Sequence, residues 1–436
     1  MSLVKNPEES LRRAIGKIGY GAININSVIG AGIFGLPAAI AARAGYFSPW
    51  AFLLGGLMVF TIVLSFARAA SMFRSSGVVL VYASHAFGPF VGFQTGWLAY
   101  LSRVAAMGAN TNLLVTYASW FWAPLDGDPY RAMALTFVIG SLTWLNVVGV
   151  RSAVGATIVF TVLKLLPLSL LVLFGLGKVD AASLFGNAVP EMDGLGETLL
   201  ILMYAYVGFE GTVVTAGEGK SPRRDLPGAL ITTIVVIGVL YFLVQTVSIY
   251  ALPDLASSPF ALADVASALL GTTGAVILIL GAVFSIGGNL ASSLLSAPRM
   301  TFALARDGSL PAWFARVHGT HHTPHVSIWI YGGLCLAMAI SGSFIWLAAM
   351  STVVRLLGYM VCIAALPVLE KRIPEHEGTF RIPGGLFIPA VAFALCIWLV
   401  SKADAQSWLT MIAFVGVGSV LYAWSRRRHL AGPQAD

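Results

Sequence analysis

The chain has 436 residues, of which 58% are hydrophobic and only 10% charged. A soluble domain carries about 25% charged residues, so a soluble enzyme, a disordered chain and a disulfide scaffold are excluded. A mean hydropathy of +0.84 and a net charge of +7 leave a basic protein made mostly of helices that cross a bilayer.

Apolar runs of about 20 residues, the length needed to cross a membrane, predict twelve spans. In chain order they are 15–43, 49–72, 82–121, 132–149, 153–177, 195–217, 228–251, 272–300, 326–342, 345–368, 384–401 and 405–425. Short connections join them and leave no room for a separate soluble domain. The polar first ten residues, with no small-residue cleavage site after them, are not read as a secretory signal peptide. Cys335, Cys362 and Cys396 all fall in apolar runs and are expected to be small buried hydrophobes.

Lys and Arg set the orientation. With both termini in the cytoplasm, nineteen of the 26 basic residues fall in cytoplasmic segments and four (Arg43, Arg131, Lys178, Lys402) fall outside. The other three, Arg103, Lys164 and Arg355, lie inside spans. This bias explains the positive charge, and no nucleic-acid partner is expected. The Arg426-Arg427-Arg428 run is expected to anchor the last span at the headgroups.

Spans 1 and 6 share an unusual feature. Span 1 contains Ile29-Gly30-Ala31-Gly32-Ile33-Phe34-Gly35-Leu36-Pro37, and span 6 contains Tyr204-Ala205-Tyr206-Val207-Gly208-Phe209-Glu210-Gly211. Glycine costs about 1 kcal/mol against alanine in a helix interior. Clustered glycines let the backbone open, and open backbone at membrane depth is tolerated only where it lines a cavity. Corresponding breaks in two halves point to a transporter's binding site. The same glycines also suit close helix packing, and the residues alone leave both readings open.

At this point a family resemblance enters. The stretch from Ile29 to Pro37 resembles the glycine-rich signature of the amino acid–polyamine–organocation permeases. So do Gly217-Glu218-Gly219-Lys220-Ser221-Pro222-Arg223-Arg224-Asp225-Leu226-Pro227, and Ala297-Pro298-Arg299 followed by Ala303 to Pro311. The likeness runs from about residue 12 to residue 425. It implies an all-α integral membrane protein with the leucine-transporter-like fold: a five-plus-five inverted repeat, broken helices 1 and 6, and two peripheral helices. The implied divisions are a cytoplasmic tail at 1–14, a transport core at 15–370 with repeats at 15–177 and 195–370, peripheral helices at 384–425, and a cytoplasmic tail at 426–436. The resemblance further implies a multi-pass protein of the cytoplasmic membrane that carries an amino acid by alternating access. No cofactor is implied. A homodimer through spans 11 and 12 is left open.

The resemblance also assigns residues. The break in span 1 takes the substrate carboxylate at Gly30, Ala31 and Gly32, where exposed N–H groups and the helix dipole suit an anion. Many relatives have a hydroxyl in place of Ala31. The break in span 6 offers the carbonyls of Tyr204, Ala205 and Val207 to the substrate ammonium. Ile29, Ile33, Met107, Phe209, Asn289 and Ser351 complete the expected pocket, and the apolar wall makes a neutral amino acid the first choice of substrate.

The intramembrane charges carry the coupling question. A lysine in span 5 is costly and therefore suspect as functional. In sodium-coupled relatives a sodium ion sits between spans 1, 5 and 8, and in sodium-independent ones a lysine takes that place, which Lys164 matches. Its amine is expected near span 1 carbonyls and near Ser292 or Ser293. It is either a proton carrier or a fixed pin, and either makes sodium coupling unexpected. Glu210 is expected to gate or couple. Arg103 and Arg355 have two readings: a guanidinium fork for an acidic substrate side chain, or pairing with Glu210 or with helix-end carbonyls.

Proton-coupled uptake is thus the leading expectation, with one-for-one exchange and an acidic substrate held by Arg103 as alternatives. A channel would want a continuous polar stripe, and an enzyme would want a catalytic constellation at one depth. The histidines at 318, 321, 322 and 325 share a helical spacing, but Gly319 and Pro324 interrupt it and no metal site is expected.

Overall fold

The computed structural model describes residues 15–73, 79–149, 156–185, 192–373 and 379–430. The tail at 1–14, much of the connection between spans 4 and 5, and the last six residues lie outside the described residues.

All the regular elements are helical among the described residues, and one isolated bridge pairs Ile15 with Gly219. Span 1 is three helices, α1 (Lys17–Val28), α2 (Gly32–Gly35) and α3 (Pro37–Ala44). Next come α4 (Ser48–Met72), α5 (Val79–Phe87), α6 (Pro89–Ser119), α7 (Tyr130–Val148), α8 (Ala156–Gly175) and the short α9 (Ala181–Phe185). Span 6 divides into α10 (Met192–Leu202) and α11 (Phe209–Val214). The rest are α12 (Pro222–Ala251), α13 (Ala261–Arg306), α14 (His325–Ser341), α15 (Phe344–Arg372), α16 (Phe387–Ser401) and α17 (Ala405–Leu430).

Nine helical stretches among the described residues are long and apolar enough to cross a membrane, and α14 and α16 are shorter apolar helices. The remaining crossing is α6, with 31 residues. Its hydropathy is lowered by Ser102, Arg103, Asn110, Thr111 and Asn112, all on the inner part of the bundle.

Three predicted boundaries are corrected. Span 3 does not run unbroken from 82. Gly88 adopts φ 92° and Pro89 opens α6 at its first position, so α5 is a separate helix. Span 7 begins at Pro222, so the second half of the Gly217–Pro227 motif is the first turn of α12, with Asp225 near its N-terminus. Span 8 reaches from Ala261 to Arg306, with the non-helical Gly271 (φ 68°) dividing a short outer segment from the long inner one.

Close packing brings the two breaks together. A side chain at Gly32 would place its Cβ 2.5 Å from the Ala205 Cα, and one at Gly208 would lie 2.4 Å from the Ser27 carbonyl oxygen. Gly208 also has φ 117°, a conformation that disfavours any residue with a Cβ. So spans 1 and 6 meet backbone to backbone, which only glycine permits. Around them α12 packs along α4, and α15 packs along α6. Gln245 of α12 donates to the Pro37 carbonyl and to Ser48 Oγ, tying the second half of span 1 in place.

Candidate functional site

The helix of span 1 stops at Val28. Ile29 turns to ψ 94°, and the N–H groups of Gly30, Ala31, Gly32 and Ile33 find no backbone acceptor among the described residues. In span 6, the carbonyls of Tyr204, Ala205 and Val207 accept no hydrogen bond there either. One break thus carries unpaired donors and the other unpaired acceptors. Unpaired backbone groups at this depth need a polar partner, and a cavity supplies room for one.

That cavity has a volume of about 300 Å³, within the range of small-molecule sites. Its wall includes Gly30, Ala31, Gly32, Arg103, Tyr204, Val207, Glu210, Asn289, Ser292, Ser293 and Arg355. On the side from which α1 enters, Ile23, Asn26, Ser27, Val214, Thr215 and Ser296 continue it. The opposite side is closed. Tyr204 donates its O–H to Asn110 Oδ1 (2.6 Å), and Asn110 Nδ2 donates to Asn289 Oδ1 (3.0 Å). Phe344 packs edge-on against Tyr204, and Tyr117 donates to the Phe34 carbonyl.

Several expected pocket residues do not line this cavity. Ile33 and Met107 are buried in the surrounding core. Phe209 points away from the cavity, its ring packed against Phe66 and Tyr359. Ala205 lies behind Gly32, which its Cα abuts. Ser351 donates to the Ser102 carbonyl at 2.8 Å and so bolts α15 to α6. Ile29 contributes its carbonyl to Lys164 rather than to the cavity. For Ile33, Met107, Phe209 and Ser351 the span is in the expected place, but the side chain is turned away from the cavity.

Lys164 is 1% exposed. Its Nζ donates to the carbonyls of Asn26 (3.1 Å) and Ile29 (2.9 Å), at the point where α1 ends. The expectation that Ser292 or Ser293 would join it is corrected. Ser285 is the hydroxyl that shares the Ile29 carbonyl, while Ser293 pairs with Tyr331 and Ser292 lines the cavity. Ser285 lies two helical turns earlier, because α13 passes the Ile29 carbonyl nearer its N-terminal end.

The other charges divide. Arg355 pairs with Glu210, Nη1 to Oε1 at 3.1 Å, with both side chains largely buried. Glu210 Oε2 accepts the Gly208 N–H (3.0 Å) and the Tyr359 O–H (2.8 Å). The carboxylate therefore ties together the span 6 break and α15. Arg103 donates from Nη1 to Ser296 Oγ at 2.9 Å. No group of metal-ligating side chains forms among the described residues, and His318 uses Nδ1 to accept the N–H groups of Thr320 and His321.

Sequence reasoning missed Asn110, Ser27 and Ser296. The Asn110-Thr111-Asn112 run inside an apolar span was the available signal for the first. Asn110 shares a helix face with Arg103 and Ala106, at offsets of three and seven residues, and Met107 stands to one side of that face.

Two broken helices meeting across a polar cavity, inside a bundle of apolar helices, define a membrane transport protein. The amino acid permease family model matches residues 17–423, and the chain belongs to that family. Among similar proteins of Bacillus subtilis (strain 168), the methylthioribose transporter is 27% identical, covering 98% of this chain and 96% of its own. The branched-chain amino acid permease BcaP is 26% identical over 97% of this chain and 95% of its own. The serine/threonine exchanger SteT is 26% identical over 89% and 90%.

Proposed function

We propose that this permease moves an α-amino acid across the cytoplasmic membrane by alternating access, without sodium and with a proton as the coupled ion. The observation that carries the substrate reading is that unpaired N–H groups at Gly30, Ala31 and Gly32 and unpaired carbonyls at Tyr204 and Val207 belong to residues on one cavity wall. The first set suits a carboxylate and the second an ammonium. In this reading both termini are cytoplasmic, the core spans 15–370, and the cavity opens to the cytoplasm past Ser27 and Val214.

Lys164 supports sodium independence. The carbonyls of Asn26 and Ile29 that would ligate a cation already receive its amine. An amine that can lose a proton there would release span 1, which gives proton binding a direct mechanical effect. Exchange is the second reading, supported by the likeness to the serine/threonine exchanger SteT. A relative at 26% identity does not carry its substrate with it. Ile33, Met107 and Phe209 face elsewhere, and the apolar part of the wall, which suits a neutral side chain, is made by Ile23, Val28, Ala106, Val207 and Val214. The α-amino and α-carboxylate groups are what the two breaks recognise, and the side chain meets other residues.

The test is uptake by purified protein in proteoliposomes under a proton gradient, a sodium gradient or neither. Accumulation that follows the proton gradient and ignores sodium is expected. Accumulation that needs sodium overturns the reading. Uptake that needs only unlabelled amino acid inside means exchange, and makes Lys164 a pin.

A further inference from the structure

Arg103 carries a charge that forms no direct ion pair among the described residues: no carboxylate lies within 4 Å of its guanidinium. The acid on the cavity wall is Glu210, and three groups already hold it. One oxygen takes Arg355, and the other takes Gly208 N–H and Tyr359 O–H. Two guanidiniums and one carboxylate therefore line the cavity, which leaves one positive charge. At membrane depth an unpaired charge is costly and marks function.

The geometry says what would answer it. Ser296 takes one N–H of Arg103, and the remaining N–H groups have no protein acceptor among the described residues. The Nε of Arg355 is likewise buried with no partner. Arg103, Glu210, Val214, Ser296 and Arg355 stand where the main cavity joins a second one of about 100 Å³, and line both spaces. The Arg103 guanidinium reaches the level of Ser27 and Gly211: a Cβ built on Gly211 would lie 4.0 Å from Arg103 Nη2 and 3.8 Å from Ser27 Oγ. Ser27 precedes Gly30 by three residues, and Gly211 follows Gly208 by three. The free fork thus sits about one helical turn from both breaks, which is side-chain distance from the place where the α groups bind.

We infer that Arg103 is a specificity residue for an acidic side chain, so that the substrate is an α-amino acid with a second carboxylate. This rests on the reading of the breaks as the α-amino acid site. A planar carboxylate matches the guanidinium fork with two parallel hydrogen bonds, and Ser296 holds the fork toward it. An acidic amino acid carries one net negative charge and balances the cavity's one positive charge. A neutral amino acid leaves that charge unpaired, and a basic amino acid or polyamine adds to it.

The experiment compares acids with their amides, which have nearly the same shape. Counterflow in proteoliposomes and thermal protection of the purified full chain in detergent would be read with L-glutamate, L-glutamine, L-aspartate and L-asparagine. The acids are expected to compete more strongly than the amides by about thirtyfold or more, as removal of one partner of a buried charged pair predicts. Arg103→Ala should abolish that preference, and Arg103→Lys should retain part of it. Equal competition by acid and amide in the unaltered protein overturns the inference, and that comparison stands even where Arg103→Ala fails to fold. Arg103→Ala reducing both classes equally also overturns it. Protection by glutamate with no transport of any amino acid would sink the transport reading and leave the acidic site standing. Transport of amides with no effect of either acid would do the reverse.

Discussion

Lys164 and Arg103 are both cations inside the membrane, yet their surroundings give them different work. Lys164 is closed off and bonded to two carbonyls at the end of α1, whereas Arg103 faces a cavity with one hydroxyl as its partner. Lys164→Ala leaves the carbonyls of Asn26 and Ile29 without that donor, at about 1–3 kcal/mol for a buried group left unpaired. The variant is expected to lose pH-driven accumulation while keeping some counterflow at equal pH on both sides. Accumulation with unchanged pH dependence would end the proton-carrier reading. Glu210 is a different case, because its partner Arg355 is also buried. Glu210→Ala is expected to destabilise the protein by about 3–5 kcal/mol, since it strands a buried guanidinium. A drop in the thermal midpoint in detergent checks this, and Arg355→Ala should lower it as well. The spans that hold these charges were legible in the sequence, because a charge in an apolar run stands out by itself. Their partners were not. Arg355 with Glu210 was one of two options for that side chain, and Ser285 in place of Ser292 or Ser293 was not foreseen. Partner choice depends on the height at which two helices pass each other.

At the scale of the element, the two breaks are the parts that a side chain would damage first. At Gly32 a Cβ meets the Ala205 backbone at 2.5 Å, and backbone cannot swing aside as the end of a flexible side chain can. Gly32→Ala is therefore expected to cost about 1–3 kcal/mol through overpacking, and to reduce uptake by spreading spans 1 and 6. Full uptake and an unchanged thermal midpoint would show that the helices do not need this contact. The breaks were legible because glycine runs inside apolar spans conflict with helix propensity. The division of span 3 at Gly88 and the start of α12 at Pro222 were less so. An apolar run records where the membrane is, while the helix end depends on one or two residues of turn chemistry.

At the scale of the whole molecule, the two ends of the cavity differ. Val214 lines its open end, while Tyr204, Asn110, Asn289 and Phe344 close the other. Cys335, Cys362 and Cys396 are buried thiols, so an added cysteine can be read against a low background. With both termini cytoplasmic, a membrane-impermeant maleimide is expected to label Val214→Cys in inside-out vesicles and Ser401→Cys in right-side-out ones. Substrate should protect Val214→Cys. Labelling of Val214→Cys from the outside would reverse the proposed orientation or open the closed face.

The amino acid sequence by itself determined an all-helical membrane protein, twelve apolar runs, two glycine breaks five spans apart, and the positions of three intramembrane cations. Each of these is local, since hydropathy, glycine content and charge are properties of a short window of chain. The tertiary structure alone decided which way each helix is turned. It put Asn110 and Ser296 on the cavity, and turned Ile33, Met107, Phe209 and Ser351 away from it. It gave Glu210 to Arg355 and left Arg103 open. In a bilayer the solvent is as apolar as the core, so hydrophobicity does not tell the inner face of a helix from the outer one. Helix rotation is set by packing and by pairing of polar groups across the bundle, and those exist only once the helices have assembled.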